Sequence, residues 1–128
     1  MLEGLFIPLR DVVRFLQPYV QPQPWARVEF TSSWTSEGFG TTAQIVEHRK
    51  DPLGRVHLRG VAKRTGASND MFQLPEGERP PRTLLCAMSS NSLFALVQVA
   101  TSGMVTYVSG GDPTVWVSLS GLSFDTEE

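Results

Sequence analysis

An antiparallel β-sandwich of jelly-roll type, preceded by one short N-terminal helix, is predicted by three observations. From Trp25 onwards, apolar and polar residues alternate with period two in short runs separated by glycine, proline, asparagine and aspartate. A turn signature, Asp51-Pro52-Leu53-Gly54, stands between two such runs. A later run, 93–100, is apolar on both of its faces. With 128 residues, 41% hydrophobic and 19% charged, the chain is long enough to bury one core of its own. It divides by composition into an N-terminal helix and Pro-rich connector (1–24), a β-sandwich head (25–124) and an acidic tail (125–128).

Leu9, Val12, Val13 and Leu16 follow the i, i+3, i+4, i+7 spacing of one helical face between Pro8 and Pro18. Gln21-Pro22-Gln23-Pro24 then reads as an extended connector. A helix this short needs a surface to dock on, which marks it as an attachment or assembly element.

The strands follow in order. Ala26, Val28 and Phe30 share one face of a half-buried strand, and residues 31–41 form a loop. Residues 43–48 make a second strand, and the Asp-Pro-Leu-Gly turn folds it back onto a third at 55–62. A polar loop (63–70), a short strand (71–74) and a Pro75-Glu76-Gly77 turn come next. Pro80-Pro81 has no place in a central ladder.

Residues 82–89 resume the sheet with Leu84, Cys86 and Met88 on one face. In the run 93–100, Leu93, Ala95, Val97 and Val99 face one way and Phe94 and Leu96 the other, so the second face calls for a covering layer or a neighbouring subunit. Ser102-Gly103 turns into a strand at 104–108, and Gly110-Gly111-Asp112-Pro113 leads to the last one. There the apolar parity switches at Ser120-Gly121, between Val115, Val117, Leu119 and Leu122, Phe124. A bulge or bend at that glycine accounts for the switch.

Several function classes find no support. A net charge of -2 does not fit a phosphate backbone, so no nucleic-acid partner is expected. The single cysteine forbids an intrachain disulfide, and Cys86 reads as a core residue. Apolar runs are shorter than a membrane span, and the first residues lack a signal-peptide pattern. His48 and His57 lie on strands of one predicted hairpin, but no third ligand accompanies them, so neither a metal nor a cofactor is expected. No nucleophile elbow surrounds the serines, and the scattered carboxylates select no hydrolytic pair, so no catalytic residue is assigned.

Two groups remain as candidates. Trp34, Phe39 and Tyr107, with Asn69 and Asp70, are aromatic and polar residues in or near loops, where a sugar finds apolar contact beside hydrogen-bonding groups. Arg55, His57 and Arg59 form a basic stripe on one strand face and, with Phe94 and Leu96, are candidates for a subunit interface. The alternatives for the stripe are pairing with Glu or Asp across the axis, contact with an anionic sugar or phosphate of a cell-wall polymer, and a solvated face with cross-strand pairs.

Three cassettes give the chain a family likeness. They are Gly54-Arg55-Val56-His57-Leu58-Arg59-Gly60, then Phe72-Gln73-Leu74-Pro75-Glu76-Gly77-Glu78-Arg79-Pro80, then Trp116-Val117-Ser118-Leu119-Ser120-Gly121-Leu122-Ser123-Phe124. In that order they resemble the C-terminal head module of phage tail fibres and tail-associated receptor-binding proteins, over residues 25–124. The resemblance implies a homotrimeric adhesin made in the host cytoplasm and carried on the virion tail. It would contact other tail proteins through the N-terminal segment and a host cell-surface glycan through the head, without catalysis or membrane insertion. A virion decoration protein that clamps neighbouring subunits and a small glycan hydrolase are the alternatives.

Overall fold

The computed structural model describes residues 23–36 and 44–127. Among them lie eleven strands: β1 (Ala26–Arg27), β2 (Trp34–Thr35), β3 (Glu47–Lys50), β4 (Arg55–Arg59), β5 (Val61–Arg64), β6 (Asp70–Gln73), β7 (Leu84–Ser90), β8 (Leu93–Val99), β9 (Met104–Ser109), β10 (Val117–Ser118) and β11 (Ser123–Asp125). They pair antiparallel in three sheets ordered β1-β3-β4-β11, β10-β5-β2 and β6-β9-β8-β7. In the last sheet, consecutive hairpins β7-β8-β9 are joined by β6 returning beside β9, a Greek-key order. Val56, Leu58 and Phe124 from the first sheet, Trp34, Ala62 and Val117 from the second, and Phe72, Ala95, Val97, Val99, Val105 and Tyr107 from the third share one buried core.

Local chemistry places the turns. Asp51 accepts the Gly54 amide on its carbonyl at 3.0 Å, and its Oδ1 accepts the amides of Leu53 and Arg55 at 2.9 and 3.0 Å. That locks the β3–β4 hairpin, with His48 opposite Leu58 and Lys50 opposite Val56. Asn91 and Ser92, between β7 and β8, both have positive φ (48° and 67°), the two-residue turn whose twist matches its strands.

The expected parity switch near the C-terminus is a bulge. The pairing Val117↔Ala62 and Ser118↔Val61 slips by one residue to Ser123↔His57 and Phe124↔Val56 across Ser120-Gly121. Gly121 has φ +90°, and Val117, Leu119, Leu122 and Phe124 are all buried in consequence. The partner ribbon breaks at the same height. Gly60, at φ +109°, separates β4 from β5, its amide meets Ser120 Oγ at 2.9 Å, and its carbonyl accepts the Leu119 amide at 2.8 Å. Any side chain at Gly60 would collide with the Ile45 carbonyl.

Besides the breaks at Gly60 and at Ser120-Gly121, which split the expected strand 55–62 and the last strand in two, boundaries near the N-terminus differ from expectation. The second strand starts at Glu47 rather than residue 43, because Gln44 and Ile45 turn where the Ile45 carbonyl crosses Gly60. The first shrinks to Ala26–Arg27, with Val28 and Phe30 packed against the core outside it. The loop expected over 31–41 contains β2, since Trp34 and Thr35 pair with Arg64 and Lys63. The expected helix at 8–17, Gln21 and Pro22 of the connector, and Phe39 lie outside the described residues.

Candidate binding surfaces

Loop residues 65–69 and the start of β6 bring together three places distant in sequence: Trp34, Asn69-Asp70 and Tyr107. Trp34 is not the exposed loop aromatic expected. It is 3% exposed, its Nε1 donates to the Ser68 carbonyl at 2.9 Å, and its ring lies 6.3 Å from that of Tyr107, itself buried. β2 pairing on β5 turns the indole inward, where its large apolar surface is worth more than as a surface contact. The aromatic pair supports the loop from beneath while Asn69 and Asp70 stay at the surface.

That polar rim is held from several sides. Asn69 Oδ1 accepts Arg64 Nη1 at 2.6 Å, and the Asn69 carbonyl accepts the Tyr107 amide at 2.9 Å. Asp70 Oδ1 accepts Thr106 Oγ1 at 3.0 Å, and the Asp70 carbonyl accepts Thr31 Oγ1 at 2.6 Å. Ser33 Oγ takes the Ser68 amide. The rim is an edge whose polar groups are held in place by hydrogen bonds.

The basic stripe lies on the outer face of β4, where each member has a partner within the chain. Arg55 binds Asp125 (3.0 Å) and Ser123 (3.1 Å), His57 Nε2 sits 2.9 Å from Asp51 Oδ2, and Arg59 donates through Nε and Nη2 to Glu47 Oε1. Hydrogen bonds from His57 and the Arg55 amide hold the Asp51 carboxyl below the usual carboxylate range. His48, on the neighbouring strand of the hairpin, points the other way from His57 and meets Glu78 Oε1 at 2.7 Å, tying β3 to the segment after β6. Cys86 packs against the core, and burial pushes its thiol pKa up.

Phe94 and Leu96 occupy a different surface, the outer face of the β6-β9-β8-β7 sheet. Phe94 is 82% exposed and Leu96 40%, while Ala95, Val97 and Val99 of the same strand are buried. Leu85, 64% exposed, and Ala87 lie on the same side of β7, with Ala87 opposite Leu96, and Val108 joins from β9. The apolar second face expected of the run 93–100 is therefore real, and within the chain it faces outward. Leu85 and Val108 were legible as members only through parity: if Leu84, Cys86 and Met88 point in, Leu85 points out. The stripe and this apolar face are the outer faces of different sheets and do not form one surface.

Where β7, the edge of its sheet, faces β10 and β11, two shallow clefts open. One, of about 480 Å³, is lined by Arg55, Pro81, Leu84 and Phe124, and the other, of about 350 Å³, by Ser89, Trp116 and Ser118. Both are within the size range of small-ligand sites.

No protein-family model matches the sequence, and no curated protein matches it significantly. In three dimensions the fold of this chain has a counterpart among solved structures. It is similar to the crystal structure of the receptor-binding protein of Listeria phage PSA, with a TM-score of 0.77 at 19% identity, over 94% of this chain and 74% of that one. At that identity the likeness is one of fold.

Proposed function

We propose that this chain is the head of a phage tail receptor-binding protein, a jelly-roll β-sandwich carried on the virion tail as a homotrimer that recognises a host cell-surface glycan and catalyses no reaction. The observation that carries this reading is the fold shared along most of the chain with a phage receptor-binding protein. Two features support it. The outer face with Phe94 and Leu96 is of the kind that a neighbouring subunit covers. The rim at Asn69 and Asp70 offers fixed hydrogen-bonding groups on a braced loop, suited to sugar hydroxyls. Weak sites repeated around a threefold axis gain through effective concentration.

The test is binding of labelled protein to a panel of bacteria that includes Listeria, together with a glycan array. Saturable binding to some strains, competed by their purified surface polysaccharide, is the expected result. Absence of binding to every cell and glycan, with tight binding to another virion protein, would replace the adhesin by a structural clamp. The N-terminal segment is proposed as the contact with other tail proteins.

A further inference from the structure

The outer face of the β1-β3-β4-β11 sheet carries a group that the stripe alone does not disclose. By register, Glu47 stands opposite both Arg27 and Arg59, and Arg49 stands opposite His57, so all five side chains share this face. Trp25, just before β1, lies under two guanidinium groups: Arg59 Cζ is 4.0 Å and Arg49 Cζ 4.4 Å from its ring centroid. Glu47 spends its Oε1 on Arg59. Arg49 has no such carboxylate among the described residues, and its Nε is buried without a hydrogen-bond partner.

Two cations fixed on one aromatic ring, with one carboxylate paired to Arg59, leave a positive charge that no ion pair among the described residues neutralises. The indole holds both guanidinium groups in place, and a planar guanidinium matches the oxygens of a carboxylate or phosphate. We infer that Trp25, Arg49 and Arg59 form an oxyanion site, which takes a phosphate or carboxylate group carried by the saccharide ligand. The ligand class rests on the receptor-binding reading above; the anion site itself does not. Arg49 and Arg59 supply two guanidinium groups held on one ring, and Trp25 adds apolar contact beside them.

The test uses the three indole N–H resonances of the whole chain, with that of Trp25 assigned by its loss in Trp25→Phe. Sodium phosphate, sodium acetate and glucuronate are titrated separately, with sodium chloride at matched ionic strength as control. The expected result is a saturable shift of the Trp25 signal with at least one oxyanion and none with chloride; the order of phosphate against glucuronate tells which anionic group the site prefers. Arg49→Met should weaken the response about tenfold, the loss of one charge-assisted contact, and Arg49→Lys, which keeps charge and stem, should fall between the two. A shift that does not saturate, or that Arg49→Lys and Arg49→Met leave equal to the parent's, overturns the site. So does a Trp25 signal that moves with protein concentration in the absence of anion, because the cations would then belong to a contact between copies. Cell binding separates the two readings: a parent that takes up phosphate at Trp25 and binds no cell defeats the adhesin and leaves the site standing. Cell binding that survives alongside an unresponsive Trp25 does the reverse.

Discussion

Trp34 shows at the scale of one residue how a plausible surface aromatic becomes a structural one. Its indole is enclosed by the loop whose carbonyl it holds and by Tyr107. Trp34→Ala removes that packing and the hydrogen bond to Ser68, so it should destabilise the fold by about 3 to 5 kcal/mol, the range for deleting a buried large aromatic. Urea unfolding followed by circular dichroism measures this directly. A variant as stable as the parent would mean that the indole is dispensable to the core. Residue types alone do not distinguish a Trp that covers a sugar from one that covers a loop, because both need an apolar body with a polar tip. The deciding fact is pairing of Trp34 with Arg64, a contact 30 residues distant that period-two patterning does not encode. Asn69 and Asp70, by contrast, were legible as surface groups because turn formers without apolar neighbours have no core to enter.

At the scale of elements, the β3–β4 hairpin and the C-terminal bulge were both readable, since each is written in local chemistry: an Asp-Pro-Leu-Gly turn and a glycine at a parity switch. The break at Gly60 was not, because its cause is the Ile45 carbonyl crossing from another element. The bounds of the first three strands failed for the same reason, being set by neighbours rather than by alternation. The hairpin turn also gives the fold a dependence on acid. Asp51 titrates below the usual range in the folded chain, so the stabilisation it brings is fully present above about pH 4, the unfolded value, and disappears as pH falls through the lower folded value. Asp51→Asn keeps the side-chain oxygen that caps Leu53 and Arg55 but has no carboxyl to protonate. Its melting temperature is expected to be lower than the parent's at pH 6 and to approach it near pH 2. Parallel melting curves across that interval would show that the Asp51 charge does not couple to folding.

For the whole molecule, the decisive feature is that β8 carries apolar side chains on both faces and the described residues cover one of them. The sequence already disclosed the imbalance, because Phe94 and Leu96 alternate with Ala95 and Val97. Parity alone could turn Leu85 and Val108 outward, but that they and Ala87 join one patch across three strands depends on the β7-β8-β9 register and its shift between Leu96 and Val97. Covering such a face returns about 25 cal/mol for each Å² of apolar surface removed from water, so a patch of several side chains supports association when copies meet it with matching shape. Phe94→Asp changes a side chain that the isolated chain leaves exposed, so folding within one copy should change by no more than about 0.5 kcal/mol. A charge buried without a partner at a contact between copies, however, is strongly unfavourable. The parent is expected to run in multi-angle light scattering at the mass of three chains and Phe94→Asp at the mass of one, with the same strand signal in circular dichroism. A parent that is monomeric at micromolar concentration, or a Phe94→Asp variant that keeps the trimer mass, would remove this face from the assembly and leave its apolar surface for another partner.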